Sequence, residues 1–340
     1  MKSTTGNFFE DFHLGRVIHH ATPRTITSGD AALYMALYGS RFAPQSSSVL
    51  ARNFGYREAP IDDLLVFHMV FGKSVPDISL NAVANLGYAE CRFLAPVFPG
   101  DTLSARSEVI GLRETSSGEA GIVWVRTTGA NQRGETVVEY VRWVMVRKRD
   151  RSSPAPAPVV PVLAERVAPE SLGQAVPPLP PGAWDKTAAG SPWTFADYTP
   201  GERIDHIDGM TIEEAEHQLA TRLYQNTARV HFDAHSEANS RLGRRLVYGG
   251  VVMSVARALS FNGMGSAFHV AAINGGRHMA PCTAGDTIYA ATEILECAAI
   301  AGRDDLAAIR TRLTATAQRS GNAEASILLE LDMWLALPRL

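Results

Sequence analysis

The chain has 340 residues, more than one hydrophobic core usually serves, so two domains of about 150 residues are expected. Its net charge of −3, with 20% charged residues, excludes the basic footprint of a nucleic-acid binder and gives no attraction to an anionic membrane. The three cysteines, Cys91, Cys282 and Cys297, lack disulfide-framework or zinc spacing, and no stretch approaches about 18 consecutive apolar residues, so a soluble cytoplasmic protein is expected.

In chain order, a polar entry segment from Phe9 leads to "SGDAALYMALYG", whose apolar residues recur at helical spacing. Next comes "DDLLVFHMVFG", apolar all round and therefore expected to be a buried helix. The run "GIVWVRTTGANQRGETVVEYVRWVMV" alternates like two half-buried strands joined at "ANQRGE". Residues 151–190 then hold nine of the nineteen prolines, which predicts an extended linker unable to pack a core.

After the linker the plan repeats. "FEDFHLGRVIHHATPRTIT" from Phe9 matches "FADYTPGERIDHIDGMTIE" from Phe195 at a constant offset of 186, pairing Asp11 with Asp197, Gly15 with Gly201 and His20 with His206. "APVFPGDTLSARSEVI" from Ala95 matches "APCTAGDTIYAATEIL" from Ala280 at 185. The second copy has its own helix, "IEEAEHQLATRLY", its own buried helix, "GGVVMSVARALSF", and a strand pair turning at "AQRSGN". Such a two-copy repeat indicates fused domains. The expected fold is α+β, a double hotdog: residues 1–150 and 191–340 each wrap an antiparallel sheet around a buried helix, with residues 151–190 as the linker.

The copies differ where chemistry is expected. "NTARVHFD" in the second copy carries Asn226, Arg229 and His231, and "LVYGGVVMS" carries Tyr248, Gly249 and Gly250. At offset 186 the first copy has Ser40 opposite Asn226, Gln45 opposite His231, and Asp62, Asp63 and Leu64 opposite Tyr248 and the glycine pair.

With these motifs the chain resembles the MaoC-like acyl-CoA hydratases and dehydratases over nearly its whole length. The family motif places an acid five residues before a histidine and a glycine turn at the start of the buried helix. The longer phrases "TGNFFEDFHLG" and "APIDDLLVFHMVFGKSVPDISLNAVANLGYAECRF" resemble the members that hydrate mesaconyl-CoA. The resemblance implies reversible hydration of mesaconyl-CoA to beta-methylmalyl-CoA, as in the ethylmalonyl-CoA pathway of acetate assimilation. CoA is then part of the substrate, and the proposed chemistry requires no metal or redox cofactor.

Hydration of an enoyl thioester needs a base for the water, a proton for the alpha carbon and donors for the enolate oxygen. His231 suits the base, although a loop histidine beside a helix capped by Asp233 can be merely structural. Asn226 departs from the family's acid; an amide orients water or imidazole but does not exchange protons. Asp62 and Asp63 are therefore candidates for a second proton-transfer group, against the simpler reading that they cap a helix. Gly249 and Gly250 are assigned to the thioester oxygen, with Tyr248 as a substrate contact. The substrate's free carboxylate needs a cation: Arg229 first, Arg41 second, unless either is solvated or holds CoA phosphates. A thioesterase and a non-catalytic acyl-CoA binding protein are the alternatives. No nucleic acid or membrane is expected as partner, and a homo-oligomer is conceivable.

Overall fold

The computed structural model describes residues 2–319 and 324–339. Strand β1 (Val17–Thr25) leads into the helix Ser28–Tyr38, started by a reciprocal cap: the Thr27 hydroxyl accepts from the Asp30 N–H, and the Asp30 carboxylate accepts from the Thr27 N–H. Gly39, at φ +64°, ends it in the left-handed conformation that glycine tolerates best. The first central helix, Asp63–Ile78, has thirteen of its sixteen residues buried, which makes it the core of its half. Strands β2 (Ala82–Phe93), β3 (Thr102–Glu114), β4 (Ala120–Ala130) and β5 (Thr136–Arg147) complete the first copy. Asn131 forms the turn between β4 and β5, its side-chain oxygen accepting from the N–H groups of Arg133 and Glu135.

The second copy follows the same order. It comprises β6 (Arg203–Thr211), the helix Glu214–Leu223, the second central helix Gly249–Leu259, and strands β7 (His269–His278), β8 (Thr287–Ala299), β9 (Leu306–Gln318) and β10 (Ser326–Pro338). The expected "AQRSGN" turn includes Ser320–Asn322, which lie outside the described residues.

All ten strands form one antiparallel sheet in the order β1-β3-β4-β5-β2-β7-β10-β9-β8-β6, which reads as the same sequence of copies from either end. The halves join where β2 pairs with β7, Tyr88 opposite Gly276 and Arg92 opposite Ala272. Two further bonds cross between equivalent positions: Tyr38 OH to Tyr224 OH at 2.7 Å, and His68 Nε2 to Ser254 Oγ at 3.1 Å. Each pair is separated by the repeat offset of 186, so both lie on the local two-fold axis. The histidines shared by both copies are structural. His20 Nε2 meets Ser107 Oγ at 2.8 Å and His206 Nε2 meets Thr292 Oγ1 at 2.8 Å, tying β1 to β3 and β6 to β8.

The linker differs from its expectation. Val167, Leu172, Val176 and Trp184 are buried in a cluster with Phe54, Phe268 and Trp334. Trp184 stacks between Phe54 and Phe268, at 4.7 and 5.3 Å. Proline removes backbone donors but does not prevent apolar side chains between the prolines from packing on a sheet, and that is what happens here.

Gly72 in the first central helix sets the approach of the two halves, because a Cβ there would overlap the Tyr224 carbonyl oxygen and lie 3.3 Å from the Asn226 N–H nitrogen. Gly72→Ala is expected to cost roughly 1–3 kcal/mol, by overpacking against backbone that cannot rotate away. Urea unfolding of the full chain measures this; an unchanged midpoint would show that the halves slide freely.

Candidate active site

The C-terminal part of the first central helix and the N-terminal end of the second enclose a cavity of about 370 Å³, a volume suited to a small acyl group. Its lining includes Asn226, His231, Tyr248 and Gly249 from the second half, and Phe71, Asn85, Tyr88 and Arg142 from the first.

His231 lies in a single 3-10 turn, Arg229–His231, and is buried. Its Nδ1–H donates to the Leu246 carbonyl at 2.9 Å, which leaves Nε2 as the basic ring nitrogen. Burial pushes its pKa down to about 4, with His217 and His278 acting in the same direction and the Leu246 carbonyl opposing them. The ring is therefore neutral at physiological pH and able to accept a proton. Asn226 is buried, and its side-chain oxygen accepts from the Ala228 N–H at 3.0 Å, so the turn orients the amide. Asp233 does cap the next short helix, accepting from the Ser236 N–H.

The second central helix begins at Gly249 without a side-chain cap from Tyr248, leaving its first N–H groups without the usual side-chain acceptor. Both glycines are sterically required. A Cβ on Gly249 would run into the His278 ring, and one on Gly250 into Tyr248 and His68. The Tyr248 ring packs 5.5 Å from that of His231.

The equivalent region of the first copy is filled. Gln45 and Asp62, opposite His231 and Tyr248 in the repeat, line a space of only about 10 Å³. Asp62 caps the first central helix by accepting from the Leu64 N–H at 2.9 Å. Asp63 accepts from the Val270 N–H and meets His269 Nδ1, both at 2.9 Å. Neither Asp62 nor Asp63, the expected candidates for a second proton-transfer group, lines the larger cavity; their carboxylates serve the opposite helix end.

Arg229 and Arg41, expected as partners for a substrate carboxylate, are not brought into the cavity. Both are exposed and neither lines the cavity; Arg41 lies 4.6 Å over the Phe261 ring instead. Spacing along the loop put Arg229 near His231, but positions two apart in a 3-10 turn, with about three residues per turn, point to different sides.

Sequence reasoning missed Asn85, Arg142 and His278. His278, at the end of β7, lines the cavity with its Nε2 buried and without a hydrogen-bond partner; burial pushes its pKa down to about 4. Nothing near it in sequence marks it. Arg142 did leave a signal, since it occupies an inward position of β5 between buried Tyr140 and Val144, where alternation calls for an apolar side chain.

Histidines whose rings lose solvation on folding make the fold acid-sensitive. His231 and His278 titrate at about 4 and His68 at about 3 when folded, against 6.5 for an unperturbed imidazole, so the unfolded chain binds more protons throughout that interval. Asp62, raised to about 6 mainly by burial, opposes them as one group against these three and against His206 and His217, whose pKa values burial also lowers. Melting temperature is therefore expected to be highest above about pH 6.5 and to fall as pH drops towards 4, which thermal melts across pH 4–8 check.

Comparison with known proteins places this site in context. A sequence model of the mesaconyl-CoA hydratase family matches residues 2–157 and 201–324. The beta-methylmalyl-CoA dehydratase of Chloroflexus aurantiacus is 56% identical, with 99% of each chain covered. The mesaconyl-CoA hydratase of Cereibacter sphaeroides is 54% identical over 100% of both chains. Among solved structures, a MaoC domain dehydratase from Chloroflexus aurantiacus superposes with a TM-score of 0.97 at 55% identity, covering 100% of this chain and 99% of that one. A Mycobacterium tuberculosis protein with a double hotdog fold reaches 0.76 at 25% identity, covering 98% and 99%.

Proposed function

This chain belongs to the mesaconyl-CoA hydratase family, and on that premise we propose that it catalyses the reversible addition of water to mesaconyl-CoA, giving beta-methylmalyl-CoA. The observation that carries the reading is the contrast between copies: an open cavity with a neutral, oriented histidine at an uncapped helix N-terminus, and a filled counterpart with glutamine and aspartate.

His231 Nε2 takes a proton from water as the oxygen attacks the beta carbon, and the Asn226 amide orients that water. Negative charge grows on the thioester oxygen during attack. The N–H groups at Gly249 and Gly250, reinforced by the helix dipole, stabilise it. His278, neutral like His231 and with its Nε2 unpartnered, relays the proton that His231 takes from water to the alpha carbon and carries it back in the reverse direction, so both rings end each turnover neutral; it fills the role left open by an amide at position 226. Mesaconyl-CoA thus gains a hydroxyl at the beta carbon and a hydrogen at the alpha carbon, with no change in the thioester.

An adjoining depression of about 510 Å³ meets the cavity at Asn226 and carries Lys73 and Arg222. Those cations suit the phosphates of a CoA moiety whose acyl end enters the cavity.

The test follows enoyl-thioester absorbance and free thiol together, using mesaconyl-CoA and the full chain. Absorbance is expected to fall without thiol release, and His231→Ala to lower kcat/KM by about 10²–10⁴-fold with the fold intact; His278→Ala is expected to cost about 10²-fold. With a base titrating at about 4, the acid limb of the kcat/KM profile falls near pH 4 rather than 6.5. Thiol release would make the protein a thioesterase, and full activity in His231→Ala would remove His231 from the chemistry.

A further inference from the structure

Arg142 is fully buried on β5, yet no carboxylate among the described residues pairs with it. One terminal nitrogen, Nη2, donates to Ser74 Oγ at 2.9 Å and reaches Ser79 Oγ at 3.5 Å, and the guanidinium lies 4.1 Å over the Phe71 ring. These contacts hold the group in place at the C-terminal end of the first central helix. Its Nε and Nη1 have no partner. The amide nitrogen and oxygen of Asn85, on the neighbouring strand β2, are likewise buried and unbonded.

Arginine stays protonated even when buried, and an uncompensated buried cation is among the costliest features a core can hold. The other half of the molecule provides the comparison. Arg257 is also buried and also lies against a phenylalanine, 3.7 Å from the Phe42 ring. There, however, the terminal nitrogens bond Ser260 Oγ and the Ala267 carbonyl, and Asp62 and Asp63 supply negative charge. The filled site satisfies its arginine internally; the open site leaves its arginine unsatisfied at the cavity wall.

We infer that Arg142, with Asn85, binds the free carboxylate of a dicarboxylic acyl group and sets the preference for such substrates over neutral acyl chains of the same shape. The inference rests on the proposed acyl-CoA function of the cavity. It assigns the half that lacks the histidine a direct part in substrate recognition: His231 and the helix N-terminus face the reacting carbons and thioester, while Arg142 anchors the distal charge. Nη1 donates to one carboxylate oxygen and the Asn85 amide nitrogen to the other, bringing partners to two groups that otherwise have none.

The test uses two unreactive thioesters with the same carbon skeleton, methylsuccinyl-CoA, which carries the carboxylate, and 2-methylbutanoyl-CoA, which carries a methyl group in its place. Calorimetric titration of the full chain is expected to show methylsuccinyl-CoA bound at least about 30-fold more tightly. Arg142→Met is expected to abolish that preference while changing the affinity for 2-methylbutanoyl-CoA by less than about threefold, and Arg142→Lys to restore part of it. Equal loss for both ligands would reveal a merely structural arginine and overturn the inference, as would a preference that survives Arg142→Met. Should Arg142→Met not fold, the unaltered protein still decides, since absence of a carboxylate preference there overturns the assignment. A clear preference without hydration of mesaconyl-CoA would instead leave the inference standing and remove the proposed reaction.

Discussion

Everything in the site depends on one packing relation: the C-terminal end of the first central helix lies against the N-terminal end of the second. Phe71, Val75 and Ser79 come to the cavity from one helix, Gly249 and Val252 from the other. The relation is held by backbone approach at Gly72, by the continuous pairing of β2 with β7, and by bonds between equivalent residues on the local axis. Antiparallel helix ends bring opposite dipole poles together, so one wall of the cavity favours negative charge and the other favours a cation. The uncapped turn at Gly249 and the guanidinium of Arg142 occupy the two walls accordingly.

A duplicated fold places two such helix-end meetings in the molecule, and the copies have resolved them differently. In the first, Asp62 takes the helix N–H groups for itself, Gln45 reaches the Phe268 carbonyl, and Arg257 finds its charge partners within the protein. The arginine is satisfied there and little volume remains, although Gln45 Oε1 and His269 Nε2 stay unpaired. In the second, glycine replaces aspartate, histidine replaces glutamine, and several buried polar atoms stay unpaired: Arg142 Nε and Nη1, both ends of the Asn85 amide, and His278 Nε2. Unsatisfied buried groups lower stability. Five such atoms line the one cavity, which supports the proposal that a ligand completes the structure there and that stability is exchanged for binding.

The duplication itself was legible because its register could be compared residue by residue, and the loss of His231 and the glycine pair from the first copy pointed to residues that line the open cavity. The residues chosen from spacing alone lie outside the cavity lining. Arg229 stands two residues from His231 yet faces solvent, because a 3-10 turn sends nearby side chains apart. Asp62 and Asp63 sit at the helix end that faces away from the cavity, as the simpler capping interpretation required. The proline-rich segment was read from backbone preference, but the outcome followed from its apolar side chains, of which Trp184 is the most deeply engaged.

By itself the sequence determined the local elements and their order: helical and alternating periods, capping residues, turn glycines and the repeat are all encoded between near neighbours in the chain. It also determined that His231 has no counterpart. Only the tertiary structure decided which distant polar groups share a cavity with it. Asn85 and Arg142 come from the other copy and His278 from the far end of a strand, and their meeting depends on strand register and helix approach across the local two-fold. Contacts between residues so far apart leave no period in the sequence; they arise when the two sheets join and the two helix ends are brought face to face.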